Sequence, residues 1–179
     1  MVGRYQPGKY PYYGVMHYKW VMMMTIRYSM LHILQSLQGT VFTNLYYKAM
    51  GAQVGLNACI MAIGINETDL ISIENQVSIG RGQVLAAHTI ENMVIKMEHT
   101  KYLLGSTVRN MAFIFPGCTM ERFSTLLEYS HILKGETIPE GECWSGIPAG
   151  PVDSEGGNTT SSVCIDTKKD QGAFLKKLY

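Results

Sequence analysis

No aspartate or glutamate occurs before Glu67, while Arg4, Lys9, Lys19, Arg27 and Lys48 do. Residues 1–66 therefore carry +5 and the remainder −4, for a net charge of +1. A balance this close to neutral excludes nucleic-acid binding through a general basic field. Charged residues are scarce, 16% against 46% apolar, so the chain packs a core and is not disordered. Cysteine is sparse too. Cys59, Cys118, Cys143 and Cys164 show no Cys-x-x-Cys spacing, which argues against a structural zinc site and a dense disulfide scaffold, and they do not fix a compartment. A secretory leader is not expected, because Met1–Tyr13 is polar and Tyr-rich and no short apolar run with a small-residue cleavage site follows. P-loop, dinucleotide and Ser-His-Asp signatures are missing.

Long apolar runs free of polar groups are also missing. Tyr28 to Tyr47 is uncharged and long enough to span a bilayer. It contains His32, Gln35, Ser36, Gln38, Gly39, Thr40, Thr43 and Asn44, whose desolvation argues against a span. Residues 1–12, with Pro7, Gly8 and Pro11, read as an extended leader. Tyr13 to Gln38 reads as a helix, Gly39 as its break, and Val41 to Met50 as a second helix ending at Gly51. Both are apolar around much of their circumference. They pack on the rest of the chain or on a partner protein, or they attach to a membrane interface, which the positive charge and Trp20 favour.

From Val54 to Ala149 the texture changes. Tyr102, Val108, Ile114, Met120, Leu126, Ile132 and Ile138 recur at six-residue spacing, and Ser106, Ala112, Cys118, Ser124 and Ser130 form a second, small register. Upstream, Ile73, Ile79 and Leu85 keep the period, as do Val54 and Ile60. Neither a helix nor a free strand has this period. A coil of three short strands, each side of a triangular prism taking one hexapeptide, does. The bulky residue points inward and the small one fills the corner. Gly55 and Gly80 are expected to supply corner backbone that a Cβ disfavours. Ala86–Lys101 breaks the period and is expected to leave the prism as a loop. The organisation expected is leader and helices over 1–52, a prism over 53–150 and a polar tail over 151–179, whose residues 173–179 could form a short helix or docking strand.

This pattern resembles the hexapeptide-repeat, left-handed β-helix superfamily, best known for acyl-CoA-dependent acyltransferases. Residues 73–88 are similar to the segment of its small acetyltransferases in which a rung ends at the catalytic His. Residues 133–149 are similar to the closing motif, in which Lys, Pro and a Gly-x-Pro-Ala turn end the last coil. A narrower likeness lies in Pro7-Gly-Lys-Tyr-Pro11, Gly39-Thr40 and residues 46–55, which resemble the terminal domain of the poly-lysine-synthetase-like family, large membrane proteins related to nonribosomal peptide synthetases. The adenylation and carrier modules of that family are absent here, and Glu74, Arg109 and Glu121 replace corner glycines.

The resemblance implies a mainly β fold, a left-handed parallel β-helix preceded by α-helices. It also implies a homotrimer with sites between subunits and acetyl-CoA or another acyl-CoA as co-substrate, with no metal. His88 is the candidate general base, since a neutral imidazole can take a proton from an acceptor hydroxyl or amine attacking a thioester. Glu91 and Glu98 could orient it, although each reads more simply as a solvated charge. His99 and His131 are secondary candidates. Lys134, Pro139, Trp144, Gly146 and Pro148 lie where relatives bind coenzyme A: Lys134 could meet a phosphate, and Trp144 offers a flat apolar face. Cys118 reads as core. Two other functions stay open, a non-catalytic, membrane-associated scaffold and a γ-carbonic-anhydrase-like protein using His88, His99 and His131, whose spacing does not suit that class.

Overall fold

The computed structural model describes residues 4–152. The tail expected over 151–179, with its possible helix or strand at 173–179, lies almost wholly outside the described residues. The chain opens with β1 (Gly8–Pro11), α1 (Val15–Ser36) and α2 (Val41–Ala49). The prism follows with β2 (Gln53–Val54), β3 (Cys59–Ile60), β4 (Gly64–Ile65), a single 3-10 turn (Thr68–Leu70), β5 (Ile71–Ile73), β6 (Ser78–Ile79) and β7 (Val84–Leu85). An excursion of two strands, β8 (His88–Glu91) and β9 (Val94–Met97), interrupts it. The prism resumes with β10 (Thr100–Tyr102), β11 (Thr107–Val108), β12 (Phe113–Ile114), β13 (Thr119–Met120), β14 (Thr125–Leu126), β15 (His131–Ile132) and β16 (Thr137–Ile138). It closes with β17 (Cys143–Gly146) and β18 (Ala149–Pro151).

Strands stack in parallel along three faces. One face runs β2, β5, β10, β13, β16; the second runs β3, β6, β11, β14, β17, with β18 added antiparallel; the third holds the pairs β4–β7 and β12–β15. The solenoid has about five turns. All seven bulky positions from Tyr102 to Ile138 are buried, as are the five small positions from Ser106 to Ser130. Each inward side chain meets its equivalent one coil away, Ile73 over Tyr102 over Met120 over Ile138. Burial holds the Tyr102 phenol far above its ordinary pKa.

The corners correct one expectation. Gly55 and Gly80 have no positive φ. They are glycine because the next coil comes too close: a Cβ on Gly55 would lie 2.7 Å from the Asn75 nitrogen, and one on Gly80 would lie 2.8 Å from that of Asn110. The left-handed conformation falls elsewhere, in columns running up the corners. Gln76, Gly105, Phe123 and Gly141 form one column and Gly82, Met111 and Tyr129 another. Where a non-glycine stands in such a column, the backbone costs roughly 1 kcal/mol.

The helices close the first coil's open edge. Asn44, buried on α2, donates from Nδ2 to the carbonyls of Ala58, Leu56 and Gly55 at 2.6, 3.0 and 3.4 Å. The Gly39 amide donates to Ile60 O at 2.9 Å, and Gln38 Nε2 to Ala62 O at 2.9 Å. The edge that would otherwise invite another strand is thus answered within the chain. The other side of α1 is unusual. Tyr18, Met22, Ile26, Met30 and Ile33 are exposed, while the two charged residues of the helix, Lys19 and Arg27, are half-buried. No described helix is long and apolar enough to cross a membrane.

The excursion is more ordered than the loop expected at Ala86–Lys101. β8 and β9 form an antiparallel hairpin, β1 adds a third strand to β9, and Thr100 and Lys101 already belong to the prism. The pairing runs from Gly8 opposite Met97 to Pro11 opposite Val94, and the Tyr12 amide donates to Met93 O at 3.0 Å. Alternation then places Pro11, which has no N–H, at a position that needs none.

Candidate functional site

His88 is the first residue of β8, where the chain leaves the prism. One coil earlier, Glu67 stands just before the 3-10 turn with its side chain fully buried. Glu67 Oε2 accepts the Ala87 amide at 2.7 Å, and Oε1 accepts the Trp20 Nε1 proton at 2.7 Å. His88 Nδ1 lies 2.9 Å from Oε1, at ion-pair distance but off the line of a hydrogen bond. With Nδ1 turned to the carboxylate, Nε2 is the nitrogen left for a substrate, and the imidazole side chain keeps 15% exposure. A buried carboxylate beside one ring nitrogen limits the orientations open to the imidazole.

The carboxylate beside His88 is that of Glu67 and not of Glu91 or Glu98. Those two pair with lysines instead. Lys96 bonds Glu91, and that bond is the main cause holding the Glu91 carboxyl below its ordinary pKa. Glu98 Oε1 is 3.4 Å from Lys134 Nζ. The period alone does not single out Glu67: Gly64 pairs with Val84, so residue 67 stacks under residue 87, whereas the regular coil, as in Lys101 opposite Thr119, would have placed it under residue 85.

The N-terminal segment walls the site with rings. The Trp20 ring meets His88 edge-on at a centroid distance of 4.8 Å. His17, buried on α1, stacks on Tyr12 at 4.2 Å and lies 6.1 Å from Trp20.

The candidates for coenzyme A binding separate into two places. Lys134 reaches the excursion, with Nζ 3.3 Å from Thr89 Oγ1, one residue from His88, and 3.8 Å from Glu91 Oε1. Trp144 and Gly146 lie on β17, on the second face. The Trp144 Nε1 donates to Glu142 Oε2 at 2.8 Å, and the Gly146 amide donates to Ser130 Oγ at 3.1 Å. Pro139 and Pro148 are exposed. His99 is exposed, and half-buried His131 meets the Phe113 ring at 5.9 Å, so neither joins His88. No three His, Cys, Asp or Glu side chains cluster among the described residues. Cys118 is core: it is fully buried, its Sγ is 2.9 Å from Leu133 O, and burial pushes its thiol pKa up.

No family model matches the chain. The delta-poly-L-ornithine synthetase of Acinetobacter baumannii (strain AB307-0294) is 32% identical over 149 residues, which cover 79% of this chain and 10% of that protein. The chain thus spans about a tenth of the length of this curated relative. A hexapeptide-repeat acetyltransferase from Vibrio cholerae O1 biovar eltor, solved with acetyl coenzyme A, superposes with a TM-score of 0.60 at 9% identity, over 80% of this chain and 91% of that one. A galactoside acetyltransferase in complex with coenzyme A gives 0.56 at 14% identity, over 78% and 84%. A maltose O-acetyltransferase from Clostridium difficile 630 gives 0.58 at 10%, over 82% and 92%. At these identities the solved structures establish the fold and nothing further. With its repeat register, its coil and these matches, the chain has the left-handed parallel β-helix fold of the hexapeptide-repeat proteins it is similar to.

Proposed function

We propose that the chain is an acyltransferase that moves an acyl group from acyl-CoA to a hydroxyl or amine, with His88 as general base. The observation that carries this reading is the His88 imidazole backed by the buried Glu67 carboxylate, on a fold whose solved neighbours include complexes with acetyl coenzyme A and coenzyme A. In the proposed step, His88 Nε2 takes the acceptor proton as the acceptor oxygen or nitrogen bonds to the thioester carbonyl carbon. The carbon–sulfur bond then breaks, and the proton passes from the imidazole to the leaving thiolate. Glu67 stabilises the imidazolium between these events. Lys134 would meet a phosphate of coenzyme A by releasing Glu98 and Glu91, while Trp144, Pro139 and Gly146 would receive its apolar parts. The active form proposed is a homotrimer.

Calorimetric titration of the purified chain with acetyl-CoA tests this. Saturation near one site per chain, kept in His88→Ala, together with acetyl transfer lost in that variant, is expected. A folded protein that takes up no acetyl-CoA overturns the reading.

A second property rests on a separate observation. We propose that the exposed, uncharged apolar stripe of α1, in an acid-free and positively charged segment, seats on an anionic membrane interface. Flotation with vesicles containing phosphatidylglycerol should capture the parent chain and lose the Met22→Glu/Ile26→Glu variant. A parent that stays unbound overturns it.

A further inference from the structure

We infer that Trp20 is a positioning residue for His88, acting through Glu67, so that α1 belongs to the site and is more than a cap on the prism. This deepens the general-base reading above, and the readouts chosen below test the positioning without turnover.

A fully buried carboxylate must have its charge answered by the protein around it. Among the described residues, no Lys or Arg forms an ion pair with Glu67. Three nitrogens serve in their place: the Ala87 amide, His88 Nδ1 and Trp20 Nε1. The first two belong to the coil that carries the base. Trp20 comes from α1, 47 residues earlier in the chain than the carboxylate it meets. It acts twice, with its N–H on the carboxylate and its ring in a T-shaped contact with the imidazole. Rotation of either group therefore costs a contact with the same indole.

The charges give a direction. The indole N–H stabilises Glu67 most when the carboxylate stands beside a neutral imidazole. Once the pair has taken up a proton, part of that charge is neutralised and the N–H is worth less. Removing the N–H therefore raises the affinity of the His88–Glu67 pair for a proton. The other titratable or charged groups facing this cluster are His17 and Arg27 on α1, Tyr12 and Tyr5 on the leader, Asp69 beyond the 3-10 turn's start, and Lys134 beside Thr89. Trp20→Phe keeps them all and keeps the ring against His88, so parent and variant differ in the N–H.

The test follows the His88 imidazole resonances against pH in the full chain, in Trp20→Phe and in Glu67→Gln. The midpoint of the pair should move to higher pH in Trp20→Phe, by roughly half a unit or more. It should move to lower pH in Glu67→Gln, where the imidazolium loses its anion. A folded Trp20→Phe protein with an unmoved midpoint overturns the inference. If that variant does not fold, the indole N–H resonance of Trp20 is read in the unsubstituted ring, with Trp144→Phe assigning it. It should shift with the same midpoint as His88, and an indole signal that stays still while His88 titrates is equally fatal. Displaced midpoints in a protein that never turns over acetyl-CoA would leave the positioning standing and remove the enzyme.

Discussion

Inside the prism each side chain has one place, and the cost of changing it follows from what stacks above and below. Ile132 is fully buried and pairs in register with Ile114. Ile132→Ala should cost about 2–5 kcal/mol, read as a lowered midpoint in denaturant unfolding. A cost within experimental error would mean that the coils slide to fill the gap. The thiols separate by the same logic. Cys59 is exposed and Cys118 is buried with a raised pKa, so a thiol alkylating agent at neutral pH should label Cys59 and spare Cys118 until the chain unfolds. Core residues of this kind were legible in the sequence because an exact period repeats one physical requirement many times. Glu67 was not, because its role comes from a single stacking relation between coils and from a helix 47 residues earlier in the chain. Gly55 and Gly80 were legible as special positions for the wrong reason, since close approach and a strained φ leave the same mark on a sequence.

At the scale of elements, the cap and the excursion are each held by a few identifiable bonds. Asn44 alone meets three carbonyls of the first coil. Asn44→Leu keeps similar bulk and strands those acceptors, so a loss of about 1–3 kcal/mol is expected, with amide exchange rising first in α2 and residues 55–62. Uniform exchange across the prism would count against local capping. The hairpin offers a charge test. Lys96 holds Glu91 below its ordinary carboxyl pKa of 4.5. A depressed folded value means that the pair's contribution is present above the unfolded pKa and fades as pH falls through the lower, folded one. Glu91 is exposed and Lys96 only half-buried, so solvent screens the pair and the effect on overall stability is small. The Glu91 carboxyl carbon should titrate below 4.5 in the parent and move back towards it in Lys96→Gln. The two helices were readable from their apolar runs and from Gly39. The hairpin was not, because residues 86–101 contain no turn dipeptide of the kind that announces one. Its turn runs through Asn92 and Met93, both at positive φ, and its third strand is the distant leader.

For the whole molecule the proposed trimer makes a prediction about which surface would face a second copy. The prism leaves large apolar side chains exposed: Met111 and Tyr129, one coil apart on a corner, at 51% and 68%, and Ile147 in the turn between β17 and β18, at 67%. Phe113 and Leu133, on and just after the strands of the third face, are exposed too, at 39% and 47%. Met111 and Tyr129 also carry left-handed backbone, where glycine would be cheaper, so the large side chains are kept against a local cost. Exposed side chains of this kind suit burial against a neighbour related by a rotation axis parallel to the prism. In the proposed trimer these side chains of each subunit would face the next. Light scattering should then give three times the 20.0 kDa of one chain. Tyr129→Glu/Ile147→Glu puts six carboxylates into the three interfaces and should yield a folded monomer, with the prism's circular dichroism unchanged. A variant that remains trimeric would assign the contact to another face. A parent that is monomeric at every concentration would remove the intersubunit site and leave the His88–Glu67 pair to act, if it acts, within one chain.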